Sequence, residues 1–158
     1  NQITQDNITK LKKYGIGVVE PQNGLLACGD TGAGKMPEPD FLFDVIEREI
    51  AREKDMLGKK VLVTAGATME SLDPVRFLTN HSSGKMGFAI AKEAMLRGAE
   101  VTVVKANTTA EIPNFVKIVE VSSAKDMFDA VTALSDQQDI IVKAAAVADY
   151  TPECYVDR

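Results

Sequence analysis

At 158 residues, against roughly 150 residues per domain, the chain is expected to hold one domain, or one domain and a piece of another. Apolar residues make up 45% and charged residues 26%, ordinary for a globular chain and wrong for a disordered one. The 18 basic and 23 acidic residues leave a net charge of −5, which argues against a protein that coats nucleic acid but permits local phosphate binding.

In chain order, Ile3, Ile8 and Leu11 among polar neighbours predict a helix from Ile3 to Lys13, stopped at Gly15. Ile16 to Val19 reads as a short buried strand closed by Glu20-Pro21. Asn23 to Met36 is glycine-rich and reads as a loop, punctuated by Pro37 and Pro39. Phe41, Val45, Ile46 and Ile50 predict a helix from Pro39 to Lys54. Asp55 to Lys60 reads as a linker. From there the pattern changes. Lys60 to Ala65 is a near-continuous apolar run, as a strand covered on both faces requires. A long polar loop, Gly66 to His81, leads to a helix from Ser83 to Arg97 that stops at Gly98. Glu100 to Val104 and Val116 to Val121 are further strands. Ser122 or Ser123 caps a helix through Leu134, and Ile140 to Ala146 is a fourth apolar run.

Strands alternating with helices in this way predict an α/β fold, a Rossmann-like doubly wound parallel sheet with helices on both faces. That domain is expected over 58–158 with part of its sheet missing, and 1–57 reads as the end of another α/β domain. No apolar run approaches the roughly 20 residues of a membrane span. The polar start Asn-Gln-Ile-Thr-Gln-Asp-Asn has no apolar signal segment. Cys28 and Cys154 stand far apart, and with His81 the one histidine they argue against structural zinc. A reducing, cytoplasmic compartment is expected, with neither nucleic acid nor membrane as partner.

Ligands of such sheets gather at the carboxyl ends of the strands. Three loops are expected to converge there: Gly66 to Ser83, Lys105 to Asn114, and Ala144 to Tyr150. The first carries Thr64, Thr68, Glu70, Asp73, Arg76, Asn80, His81, Ser82, Ser83 and Lys85 in or beside it. Its end, Asn80-His81-Ser82-Ser83-Gly84-Lys85-Met86-Gly87, runs straight into a helix. Free N–H groups, two hydroxyls and two glycines there suit a phosphate. Equally, a serine can simply cap the helix while the glycines allow close packing. Some 16 residues separate Gly66 from Ser83, so this is not the tight Gly-x-Gly-x-x-Gly dinucleotide turn. Gly29-x-x-x-x-Gly34-Lys35 is not a Walker loop: Met36 offers no hydroxyl for a metal ion, and Pro37 and Pro39 block an immediate helix. Cys28, flanked by glycines, is either a small buried hydrophobe or a reactive thiol. Asp73 and Arg76 could be an ordinary surface pair.

Val63-Thr64-Ala65-Gly66-x-Thr68-x-Glu70, Asp73-Pro74-Val75-Arg76, Asn80 to Gly87 and Ala144-Ala145-Ala146-Val147-Ala148-Asp149-Tyr150 resemble phosphopantothenoylcysteine synthetase, the phosphopantothenate–cysteine ligase. Ala27-Cys28-Gly29-Asp30-x-Gly32-x-Gly34-Lys35-Met36 resembles the substrate clamp of phosphopantothenoylcysteine decarboxylase, and many bacteria fuse the two in this order. The resemblance implies coenzyme A biosynthesis: CTP activates 4′-phosphopantothenate as an acyl-cytidylate, cysteine captures it, and an FMN-dependent step decarboxylates the product to 4′-phosphopantetheine. It further implies Mg2+, nucleotide contacts from Gly66, Ser82, Gly84, Gly87, Lys143 and Asp149, and substrate contacts from Asn80, Ala145, Ala146 and Asp149. Asn80 would steady the acyl-cytidylate, and Arg76 would reach a neighbouring subunit's site, implying a homodimer. Cys28 would be the acid of the decarboxylase.

Lys35 stands where this family usually has arginine, which keeps the charge and loses the bidentate fork. Lys105-Ala106 replaces the family's Ser-Gly after the second strand. Most of the flavin-binding motifs and the later lysine-rich loop have no counterpart here, so the chain reads as the middle of the bifunctional protein, inactive alone in both reactions. The rival readings are an NADPH-binding oxidoreductase and a non-catalytic dimerising module.

Overall fold

The computed structural model describes residues 1–26 and 29–153. The chain divides into two compact units, Asn1–Phe43 and Asp44–Arg158.

The first unit opens with helix α1 (Gln2–Lys13), capped by the Asn1 side chain, which accepts from Ile3 N at 3.0 Å. Lys10, Lys12 and Lys13 in its last turn suit the negative helix end, and Gly15 just beyond takes the left-handed conformation (φ 78°). Ile16–Val19 is not the buried strand expected: it has no regular structure and is largely exposed. The glycine-rich stretch, expected as a loop, forms an antiparallel hairpin of β1 (Gln22–Leu25) and β2 (Thr31–Lys35). Composition misleads there because ladder pairing needs only backbone, as in Gly24 opposite Gly32. Lys35 sits in a strand and its ammonium binds Glu38 at 2.6 Å, so no phosphate loop forms.

Helix α2 (Pro39–Ile50) starts on a proline whose missing N–H costs nothing there. It ends before Lys54, the end expected from its apolar spacing. The second unit explains why. The Lys54 ammonium binds the carbonyl of Arg48, in the last turn of α2, and that of Leu96 at 2.7 Å. Asp55 pairs with Arg97, and Met56 N donates to the Arg97 carbonyl at 3.0 Å. The expected linker is therefore held.

Four parallel strands, β3 (Lys60–Ala65), β6 (Glu100–Lys105), β7 (Lys117–Glu120) and β8 (Ile140–Lys143), form one sheet in the order β7-β6-β3-β8. Helix α3 (Lys85–Leu96) covers one face: Val61, Val63, Ala65, Val101 and Val103 bury against Phe88, Ala91 and Met95. Helix α4 (Ala124–Ser135) covers the other, where Leu62, Val104 and Ala106 meet Met127. The alternation of β3 thus sends odd residues to α3 and even ones to α4. Ser123 caps α4 in a reciprocal box with Asp126. The fold is the doubly wound α/β sheet read from the sequence. The stretch from Gly66 to His81 is not simply a loop, because β4 (Met69–Ser71) and β5 (Phe77–Thr79) pair as an antiparallel hairpin. Among the described residues no helix is long and apolar enough to cross a membrane.

Candidate functional site

The strand order reverses between β3 and β8, so the chain leaves these neighbours in opposite directions, and beyond their carboxyl ends is where open α/β sheets place a ligand crevice. Its floor is a backbone junction. Ala67 bridges Asn107 on one side and Ala146 on the other, and Ala146 N donates to Gly66 O at 2.8 Å. Thr108 Oγ1 donates to Ser83 O at 2.6 Å. The three loops expected to converge do converge.

Close packing brings α3 to this junction. A Cβ on Gly66 (φ 89°) would lie 2.5 Å from the Asn107 carbonyl oxygen, and one on Gly84 (φ 76°) 2.5 Å from Thr108 Oγ1 and 3.2 Å from Gly66 N. Gly87 lies flat on the end of β3, where a Cβ would come within 2.7 Å of Ala65 Cβ. These glycines are required sterically. The same contacts hold the amino end of α3 beside the crevice. Gly84 is its N-cap and contributes no side chain, so the first turn has no side-chain cap. The serine hydroxyls offer only long contacts, Ser82 Oγ to Gly84 N and Ser83 Oγ to Lys85 N, both 3.4 Å. A helix start with free N–H groups favours an anion.

Asn80 follows β5 and spans the crevice, donating from Nδ2 to the Val147 carbonyl at 3.1 Å. The motif around Asn80 and the Ala144–Tyr150 segment therefore adjoin, and Asp149 is exposed two residues beyond Val147. Ala145 and Ala146 are half-buried in the same segment. Lys143, level with Thr64, lies on the α4 side, lining a cavity of about 270 Å³ with Met127, Phe128, Val131 and Val147. It is across the sheet from the start of α3. Arg76 is elsewhere again: β5 separates it from Asn80 by roughly 13 Å of extended chain. Its Nε binds Asp73 at 2.6 Å at the hairpin tip. Asp73 is no ordinary surface partner. Its carboxylate is buried and also accepts from Arg76 N and Val75 N. Those two N–H groups, then the guanidinium, hold its pKa below the usual carboxylate range. Cys28 and Cys154 lie outside the described residues.

Thr64, Thr68 and Glu70 stand in the sequence only as polar groups near a loop, and the structure gives each a task. All are buried. Thr64 Oγ1 accepts from Ala144 N and Ala145 N at 3.2 Å, and Thr68 Oγ1 from Ala148 N at 2.8 Å. Glu70 accepts from Ala124 N at 2.7 Å and from the Thr151 hydroxyl at 3.1 Å. The signal in the sequence was three polar groups, Thr64, Thr68 and Glu70, all on even-numbered positions of one mostly apolar and small-residue segment.

The fold defines an α/β protein of the doubly wound class with a candidate ligand crevice at a topological switch point. The chain belongs to the family described as DNA/pantothenate metabolism flavoprotein C-terminal domain, which it matches over residues 56–158; residues 1–51 match the family described as Flavoprotein. It is 45% identical over 158 residues to the coenzyme A biosynthesis bifunctional protein CoaBC of Vibrio vulnificus, covering 100% of this chain and 39% of that protein. The namesake of Mycobacterium tuberculosis is 44% identical over 154 residues, covering 94% and 37%. The chain thus spans less than half the length of these relatives. Among solved structures, the C-terminal domain of a CoaBC protein superposes with a TM-score of 0.59 at 51% identity, over 62% of this chain and 50% of that one.

Proposed function

We propose that residues 58–158 supply part of the ligase site of a coenzyme A biosynthesis enzyme that joins cysteine to 4′-phosphopantothenate at the expense of CTP, and that residues 1–57 supply the end of a decarboxylase domain with its substrate clamp. The observation that carries this reading is the Asn80–Val147 hydrogen bond, which joins the Asn80 and Asp149 segments across the crevice beside the uncapped start of α3.

The chemistry proceeds in two displacements. A carboxylate oxygen of phosphopantothenate attacks the α-phosphorus of CTP, pyrophosphate leaves, and an acyl-cytidylate forms. The cysteine amine then attacks the acyl carbon, loses a proton, and expels CMP. Negative charge builds on phosphoryl oxygens in the first displacement and on the acyl oxygen in the second, and oriented N–H donors stabilise both. The first-turn amides of α3 near Ser82, Gly84 and Gly87 are such donors. The Asn80 amide, already held by Val147, is poised to donate to the substrate without being reorganised. Lys143 adds positive charge from the α4 side.

Mg2+ is commonly held by substrate phosphates and one or two carboxylates. Among the described residues no group of three or more histidine, cysteine, aspartate or glutamate side chains is placed to hold a metal. Asp149, exposed at the crevice, suits an ion arriving on the triphosphate. FMN is a different matter: in Asn1–Phe43 Pro37 is the one buried residue among those described, which does not fit the enclosure a flavin ring needs. No step is assigned to it. We also propose a homodimer through the β4–β5 hairpin. That arm exposes Val75, Phe77 and Leu78, and a lone two-stranded hairpin is marginal in water. A partner would cover these residues and receive Arg76.

Amide chemical-shift mapping with CTP–Mg2+ at millimolar concentration tests the ligase reading. Shifts are expected at 83–87 and 145–149, and Asn80→Ala should weaken phosphopantothenate binding about tenfold, the worth of one hydrogen bond to a charged ligand. Shifts produced by NADPH and not by CTP would refute it.

A further inference from the structure

Thr64, Thr68 and Glu70 form a ruler that sets the backbone of the nucleotide-side segment 144–151. The register is regular as far as Ala148 and lengthens by one residue at Thr151. Thr64 takes the N–H groups of Ala144 and Ala145. The Gly66 carbonyl takes Ala146 N, Thr68 Oγ1 takes Ala148 N, and Glu70 takes the Thr151 hydroxyl. Each acceptor on alternate positions of one extended segment thus holds the next point along the other. The ladder of β3 with β8 ends at Lys143. Beyond it the backbone still pairs at Ala144 N to Thr64 O, Ala146 N to Gly66 O and Thr68 N to Ala146 O, and the side chains add further points of attachment at Ala145, Ala148 and Thr151.

Two of the three also tie the segment to other walls of the crevice. Thr68 accepts the Thr79 hydroxyl at its carbonyl, 2.7 Å away, fixing the residue before Asn80. Glu70 holds the first N–H of α4, a favourable place for a carboxylate. The Thr68 and Glu70 side chains are buried, so substrate does not reach them directly.

On the ligase reading above, we infer that Thr68 and Glu70 are positioning residues: they act on the nucleotide through the placement of Asp149 and through the alignment of Asn80 with Val147. Thr68→Val removes the hydroxyl and keeps the shape, leaving Ala148 N–H without its acceptor. Exchange of the Ala148 amide should rise about tenfold, the worth of one net hydrogen bond, while β3 and β6 amides keep their protection. Thr68→Ser restores the oxygen and should return exchange to the original rate. Glu70→Leu should free the Ala124 amide and release the Thr151 hydroxyl. Glu70→Gln keeps an acceptor for Ala124 N and a partner for the Thr151 hydroxyl, and should behave as the original chain does.

The experiment is hydrogen exchange on the whole chain, followed by shift mapping with CTP–Mg2+. Local loosening at 144–151, rescued by serine and glutamine, with CTP shifts at 145–149 reduced in parallel, supports the inference. Unchanged exchange at Ala148 in Thr68→Val, or a rise spread evenly over the sheet, overturns it. If local loosening and rescue occur in a chain that gives no CTP shifts at all, the ruler stands and the ligase reading fails.

Discussion

Gly87→Ala tests whether helix α3 is held against β3 as closely as the structure shows. The added Cβ would sit 2.7 Å from Ala65 Cβ and 3.1 Å from the Thr64 carbonyl oxygen. Against an ordinary carbon–carbon contact of about 3.5–4.0 Å, the first falls short by about 1 Å. Neither neighbour is the free end of a flexible side chain, so α3 itself must move outward. Overpacking of this kind costs about 1–3 kcal/mol. Alanine recovers about 0.5–1 kcal/mol as a better helix former than glycine. At mid-range values, about 2 less about 0.75, the net expectation is a loss of about 1 kcal/mol, or a Tm lower by about 2–4 °C in a chain of this size. Ala65→Gly removes the worse of the two overlaps, so the double variant should be more stable than the sum of the single losses, by about 0.5 kcal/mol or more. Thermal unfolding of the four members of the cycle decides the matter. A Gly87→Ala chain as stable as the original, or strictly additive losses, would refute the packing account.

Gly66→Ala should be worse than Gly87→Ala, since its Cβ meets the Asn107 carbonyl at 2.5 Å and φ is 89°; a loss of at least about 3 kcal/mol is expected from strain and overlap together, read by urea unfolding. Ser123→Ala breaks the α4 capping box and should cost about 1 kcal/mol, measured as a shift in Tm. The Asp73 pKa is depressed on folding, chiefly by the backbone N–H of Arg76, then by that of Val75 and the Arg76 guanidinium. Its contribution is therefore complete above the unfolded value of about 3.9 and is lost as pH falls through the lower folded value. Amide resonances of Val75 and Arg76 should titrate below pH of about 4 in the original chain and stay flat there in Asp73→Asn.

The centre of the sheet was legible because a strand buried on both faces is spelled as a near-continuous apolar run: Lys60–Ala65 appears in the sequence with the same limits as in the fold. The two hairpins were not. β4 and β5 have three residues each and expose most of their side chains, so hydrophobic period carries no message there. What organises them is a buried aspartate at the turn, and its burial is a tertiary fact. At the site, the glycines announced a close approach, but the sequence left open whether phosphate or packing required them. The structure shows packing that delivers the helix start to the crevice, which makes the two readings compatible. Lys143 was legible as a charge beside the last strand; that it serves the α4 face follows only from its register opposite Thr64.

Register also explains how one strand can serve both sides of the crevice. The inward alternation of β3 gives Ala65 to α3 and Thr64 to the segment after β8, so neighbouring residues fix opposite walls. Shifting β3 by one residue toward its carboxyl end, against β6 and β8, would set the Thr64 hydroxyl against Gly87 and Val63 where the Ala144 and Ala145 amides need an acceptor. Both walls would fail together. Single changes at Thr64 or Gly87 should therefore each damage mainly one wall, whereas an insertion within Lys60–Ala65 should abolish both. Exchange protection at Ala145 and at Phe88 reports the two walls separately. Loss of only one after an insertion would show that the walls are positioned by their own helices and not by the strand between them.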